Sequence, residues 1–133
     1  MGEIISIYTT QQAIEDGILI RLADYFSGTD FPGIMLEALE MLRDVGGRFE
    51  LGQLIISAHA AKTLQAADVL IALIRHQLGD WGELERSDRR ANEKALACSG
   101  RLFSAYRDAS RVKFWIITEG HPPTTTVLLP QDY

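Results

Sequence analysis

The clearest periodicity along the chain lies in its last third. Val112, Phe114, Ile116 and Thr118 alternate with Lys113, Trp115, Ile117 and Glu119, the two-residue period of a strand with distinct faces. Leu102 and Ser104 alternate in the same way with Phe103 and Ala105. With the β-branched run before Pro130, this predicts three strands, at residues 101–106, 112–119 and 124–129. Asp108-Ala109-Ser110, with Arg111 as a further turn residue, and Gly120-His121-Pro122-Pro123 supply the turns between them. Phe49, Phe103, Phe114 and Trp115 read as the aromatic residues that core-forming strands require.

Earlier in the chain the period lengthens. Ile34, Leu36, Leu39, Met41 and Leu42 lie largely opposite Glu37, Glu40, Arg43 and Asp44, which predicts an amphipathic helix ended by Gly46-Gly47. A strand is predicted at 51–57, after which Ser57 caps a helical stretch running to Gln77. Gln65-Ala66-Ala67-Asp68 divides that stretch into two helices, and the second, apolar on nearly every face, is expected at the centre of the core. After a turn at Gly79-Asp80-Trp81-Gly82, Ser87 or Asp88 caps a third helix that Gly100 ends. The first fifty residues read as a short apolar run at 4–8 and a helix at 11–15 capped by Thr9 or Thr10. A short strand at 18–20 and a loop at 27–33 follow.

The β-α-α-α-β-β-β order predicts an α+β fold: a four-stranded, mainly antiparallel sheet with helices on one face. An N-terminal helical and short-strand segment, residues 1–50, is expected to pack on a 51–133 core within one domain of 1–133. Composition agrees, since 133 residues with 47% hydrophobic and 23% charged side chains match an ordinary globular domain. The single cysteine, Cys98, excludes an internal disulfide, and no Cys/His spacing suggests zinc; Cys98 reads as a small buried residue. The longest apolar run, Val69 to Ile74, is far short of a membrane span, and no basic leader precedes it. The cytoplasm is therefore the expected compartment.

Charge changes the picture more. The chain carries a net −5, yet residues 86–113 hold eight basic and three acidic side chains, a local +5 that leaves −10 on the remainder. A basic zone on an acidic body is a possible footprint for an anionic partner, while the simpler reading is a solvated helix face.

Three motifs converge: Ile7-Tyr8-Thr9 with Gln12-Ala13-Ile14-Glu15-Asp16-Gly17, His76 followed by Gly79-Asp80-Trp81-Gly82, and Trp115-Ile116-Ile117-Thr118-Glu119 followed by Thr125-Thr126-Val127-Leu128-Leu129-Pro130 and Tyr133. With Asp88, Asn92 and Ser104-Ala105-Tyr106 the chain resembles a family of small proteins carried on bacterial plasmids, phages and integrated elements. Some of these bear the label of a type I restriction methylase subunit. This chain is too short for that and has neither a Gly-rich cofactor loop nor an Asn-Pro-Pro-Tyr motif. Similar proteins carry an acidic residue and an arginine in the turn after the Trp-Ile-Ile-Thr-Glu strand, where this chain has Gly120-His121-Pro122-Pro123. The resemblance implies an origin on a mobile element and no established activity.

The candidate chemistry is modest. His76 and Asp80 could form an acid–base pair; the simpler reading makes His76 the cation of a helix C-terminus and Trp81 an anchor for the loop. Asp88 and Asn92 read as braces for the Gly-Asp-Trp-Gly turn, and His59 as structural. In a small ribonuclease-like enzyme, Glu119 or His121 would be the acid–base residue, with Arg101 or Arg107 holding phosphate. The leading expectation is instead a non-enzymatic accessory protein of a mobile element. It would bind a macromolecule, a protein first and nucleic acid second, through Arg86, Arg89, Arg90, Lys94, Lys113 and Trp115. Counter-defence against restriction or CRISPR is one form of that role. A homo-oligomeric structural subunit joined at its β-edges is the third reading. No metal, cofactor or membrane contact is expected.

Overall fold

The computed structural model describes residues 9–29, 32–45 and 47–133, with 43–45 described by their backbone alone. The run predicted at 4–8 lies outside the described residues. Thr9 opens the first helix, α1 (Thr10–Glu15), by a capping box: its hydroxyl accepts from the Gln12 amide at 3.1 Å, and its own amide donates to Gln12 Oε1 at 3.0 Å. Strand β1 (Leu19–Arg21) leads directly into α2 (Leu22–Ser27), which buries Leu22 and Phe26 one turn apart. The sequence pattern missed α2, because six residues offer only that one pair of inward positions. Helix α3 (Pro32–Val45) buries Leu39 and Leu42.

Strand β2 (Gln53–Ser57) ends in Ser57, whose hydroxyl accepts from the Ala60 amide and caps α4 (Ala58–Thr63) as expected. Helix α5 (Ala66–Gln77) buries Val69, Ala72, Leu73, His76 and Gln77. It is not enclosed on every side as its composition suggests: Ile71 is 54% exposed and Leu78, just beyond it, 62%. Helix α6 (Arg86–Cys98) starts two or three residues earlier than expected, with Glu85 rather than Ser87 or Asp88 at its cap position. It ends with Ser99 in the left-handed conformation while the Gly100 amide bonds to the Ala95 carbonyl at 2.8 Å. Strands β3 (Leu102–Arg107), β4 (Lys113–Glu119) and β5 (Thr124–Leu128) follow, and a 3₁₀ turn (Pro130–Asp132) closes the chain.

The class is α+β, and the three-strand meander stands where the alternation placed it. The sheet itself differs from expectation. It has five strands in the order β1-β2-β5-β4-β3, because β1 adds antiparallel to β2. It is mixed, because β5 lies parallel to β2, with Ile55 opposite Thr126. The helices are also not confined to one side. Leu54, Ile56, Phe114, Ile116, Val127 and Leu129 meet Leu22, Phe26, Leu42, Val69 and Leu73 in one core, whereas Thr9, Thr10 and Ala13 at α1 border a groove over Ile55 and Ile117 on the opposite face. No helix among the described residues is long and apolar enough to cross a membrane.

The outer edge of β3 is covered. Asn92 on α6 accepts from the Phe103 amide at 3.0 Å and donates to the Phe103 carbonyl at 2.7 Å, imitating a neighbouring strand. Two residues on, the Glu83 amide donates to the Ala105 carbonyl at 2.7 Å, and the Ala105 amide donates to Trp81 at 3.2 Å. This removes one of the open edges on which self-association was expected to depend. Gly82 makes the approach possible: with φ +74°, its missing Cβ would stand 2.0 Å from the Ala105 carbonyl oxygen.

Gly17 provides a control, since its φ is +76° but no atom lies within 4 Å of the Cβ position. Gly17→Ala should therefore cost only the left-handed backbone penalty, about 1 kcal/mol. Gly82→Ala should cost about 3 kcal/mol or more, because it also drives the loop off the strand. Urea unfolding of both variants checks the difference, and equal losses would contradict the edge assignment.

Candidate functional site

The first sequence candidate, His76, is enclosed. Its side chain is 0% exposed, with Phe49 edge-on at 5.1 Å between ring centroids and Trp81 edge-on at 5.8 Å. Its ring nitrogens lie 2.6 Å from Ser104 Oγ and 2.9 Å from Thr118 Oγ1. Thr118 in turn lies 2.7 Å from Thr125 Oγ1, which donates to the Leu51 carbonyl at 2.6 Å.

The carbonyl fixes the direction of the whole chain, because it can only accept and each hydroxyl has one hydrogen. Thr125 donates to Leu51 and so accepts from Thr118. Thr118 then accepts from His76 Nε2–H, which leaves Nδ1 of the neutral ring to accept from Ser104. A serine hydroxyl donating to an imidazole is the arrangement of a nucleophile and its base. Ser104 is also 0% exposed, so no substrate reaches it and the pair is structural. Burial pushes the His76 pKa down to about 3, so the ring stays neutral at physiological pH. This overturns both readings of His76, as a helix-end cation and as a partner of Asp80.

Asp80 belongs to Arg75, with contacts of 2.7 and 3.2 Å, and the hydrogen bond from that guanidinium holds its carboxyl below the usual range. Trp81 does anchor its loop: it is buried and donates to Glu93 at 3.0 Å. Asp88 is exposed on the first turn of α6, whereas Asn92 braces β3 rather than the turn. Cys98 is exposed, which corrects the buried reading.

The basic side chains in and around the 86–113 zone separate into two classes. Arg48, Arg75 and Arg107 are tied to Glu93, Asp80 and Glu83. Arg89 is committed to carbonyls, donating to Gly82 at 2.8 Å and Leu84 at 3.1 Å. Arg86, Arg90 and Lys94 form a different group: they follow at four-residue intervals on α6, are exposed, and among the described residues pair with no carboxylate. Lys113 and Trp115 lie elsewhere, on the β4 face that turns away from Phe114 and Ile116. The six residues taken together from the sequence thus come from two elements, and Arg89 among them is held by backbone carbonyls.

The ribonuclease-like set is likewise divided. Glu119 and His121 share a cleft of about 320 Å³ with Arg48 and Glu50. Leu102 pairs with Thr118, so Arg101 ends its strand beside Glu119, while Arg107 pairs with Lys113 at the other end of the hairpin. Comparison with protein families, with curated proteins and with solved structures finds no match for this chain. Among the described residues, no group of three or more His, Cys, Asp or Glu side chains is placed to hold a metal ion.

One cluster escaped the sequence reading. His59 Nδ1 lies 3.1 Å from Asp132 Oδ1, and Ser57 donates to Asp132 Oδ2 at 2.6 Å. Burial opposes ionisation of Asp132, but bonds from Ser57, the Leu129 amide and His59 hold its pKa below the ordinary value. The partners are seventy-three and seventy-five residues apart, so no local spacing signals them. Their effect is to fasten the C-terminal turn to the start of α4.

The His76 shift makes stability depend on pH. The unfolded chain binds a proton below about 6.5, whereas the folded ring refuses it until about 3. The contribution is complete above 6.5 and is lost as pH falls towards 3, to a maximum of about 5 kcal/mol. Urea unfolding between pH 7 and 4 should show this slope, and His76→Gln, destabilised overall by loss of the ring, should show less of it. An equal slope in both proteins would contradict a neutral buried imidazole.

Proposed function

We propose that the protein is a non-enzymatic accessory factor of a mobile genetic element that binds an acidic macromolecule, in the first instance a protein, through α6. The observation that carries this reading is the stripe Arg86, Arg90 and Lys94. Among the described residues these cations serve no internal ion pair, whereas Arg48, Arg75, Arg89 and Arg107 are engaged. Free cations aligned on one helix face steer and orient an anionic partner, even when the whole molecule is acidic. The motif resemblance supplies the mobile-element context, and obstruction of a host restriction or CRISPR complex is the form of activity it suggests.

A second reading has its own observation. Glu119 and His121 face one cleft with Arg48, which favours a small ribonuclease-like activity using Glu119 or His121 as acid–base residue. Arg107 has no part in it. A wild-type protein that cleaves no RNA and is harmless on overexpression removes this reading. Toxicity relieved by Glu119→Ala with His121→Ala supports it.

The binding reading is tested by affinity capture from host lysate, using the wild type beside Arg86→Glu/Arg90→Glu/Lys94→Glu. Arg89 is left intact because it holds the 82–84 loop. A specific partner whose association falls at least about tenfold in the reversed protein is expected. Equal recovery by both proteins, or no specific partner with either, overturns binding through α6.

A further inference from the structure

The sheet face turned away from the main core carries a group that neither reading above uses. Trp115 stands between Phe103 and Tyr133, edge-to-face with each, at centroid distances of 5.1 and 5.8 Å. Phe103 and Trp115 are partly exposed and Tyr133 is 50% exposed. The Arg101 guanidinium lies 5.7 Å from the Phe103 ring centre and 5.3 Å from that of Tyr133, and donates to the Tyr133 hydroxyl at 3.0 Å. Lys113 projects from the same face of β4, two positions before Trp115. Among the described residues neither Arg101 nor Lys113 is in an ion pair.

Register sets the spacing. Phe103 is opposite Ile117 and Ala105 opposite Trp115, so the aromatic group lies between Lys113 at one end of the hairpin and Arg101 at the other. Six strand residues separate those ends, about 20 Å, room for several nucleotides. Beside the group a groove of about 430 Å³ runs over Ile117 and Leu128, bordered by Tyr133, Thr124 and Thr126 and by two acidic residues, Glu119 and Asp132.

We propose that this face binds single-stranded nucleic acid, with bases stacking at Trp115 and Tyr133 and phosphates held by Arg101 and Lys113. The charge and the surface chemistry select this occupant. Aromatic faces accept any base, an apolar groove with hydroxyls at its rim accepts a base plane and its edge, and cations at both ends match a chain with a charge on every unit. Glu119, which ends β4 on the same face, limits the track on the Arg101 side, and Asp132, engaged by Ser57 and His59, keeps phosphate off the groove, which takes bases only. The proposal does not rest on the α6 stripe, which lies on a different element.

The test is fluorescence anisotropy of labelled dT12 and rU12 with the full chain at 50 and 200 mM salt. Micromolar binding at the lower salt is expected. With two or three phosphates neutralised, affinity should fall roughly five- to twentyfold at the higher salt. Trp115→Leu should weaken binding at least about fivefold with circular dichroism and melting unchanged. Should Trp115→Leu fold poorly, Lys113→Gln, at an exposed position, should still weaken binding and lower the salt slope by about 0.7. The α6 triple reversal should leave stacking-dependent binding in place, so failure of one proposal is distinguishable from failure of the other. A preference for rU12 or dT12 identifies the kind of strand. Absence of binding to either oligonucleotide at 50 mM salt overturns the proposal. So does a salt-independent interaction, or sedimentation showing a dimer that Trp115→Leu dissociates.

Discussion

A neutral imidazole held in a line of hydroxyls organises this protein. His76 joins helix α5 to β3 through Ser104 and to β4 through Thr118, and Thr125 carries the line across β5 to the Leu51 carbonyl. Every member is buried, so each would be costly without its partner. Hydrophobic packing alone would tolerate α5 shifted slightly along the sheet. A directed series of single-hydrogen bonds does not, because one missing donor leaves an unsatisfied atom in the core. Phe49 and Trp81 close over the ring, and Trp81 also begins the segment that covers the β3 edge. The site that most resembles catalytic chemistry is therefore the one that fixes the fold.

The covered edge follows from the same region. Trp81 and Glu83 supply backbone partners to Ala105, and Asn92 supplies an amide to Phe103, so two adjacent outward positions of β3 are satisfied without another strand. Apolar surface remains on the helical layer instead, at Ile71, Ile74 and Leu78. Those positions are three and four residues apart along α5 and its end, so they form one exposed apolar face on that helix.

Electrostatics separates structure from candidate function more sharply than sequence charge does. Arg48, Arg75, Arg89 and Arg107 all serve the loops and edges around Trp81 and Glu83, each with a carboxylate or carbonyl partner. Within the basic zone, Arg89 and Arg107 are so engaged, which leaves Arg86, Arg90 and Lys94 on α6, Arg101 and Lys113 at the two ends of the β3–β4 hairpin, and Arg111 in its turn. Of the eight cations behind the local +5, Arg89 and Arg107 are internal braces.

Much of the fold was determined by the sequence alone, because its signals are local. Alternation in 112–119 and 101–106, the cap at Thr9 and the cap at Ser57 depend on neighbours within a few residues, and each stands as expected. The parallel pairing of β5 with β2, the incorporation of β1 and the short helix α2 had no such signal. They follow from which surfaces meet once the chain has collapsed. The same limit applied to side chains: His76 with Ser104 and Thr118, Asn92 with Phe103, and His59 with Asp132 join residues from eleven to seventy-three positions apart. Sequence spacing reports the face of an element on which a residue lies. Only the tertiary structure decided what that face touches, because a hydrogen bond or ion pair is set by distance and direction in space.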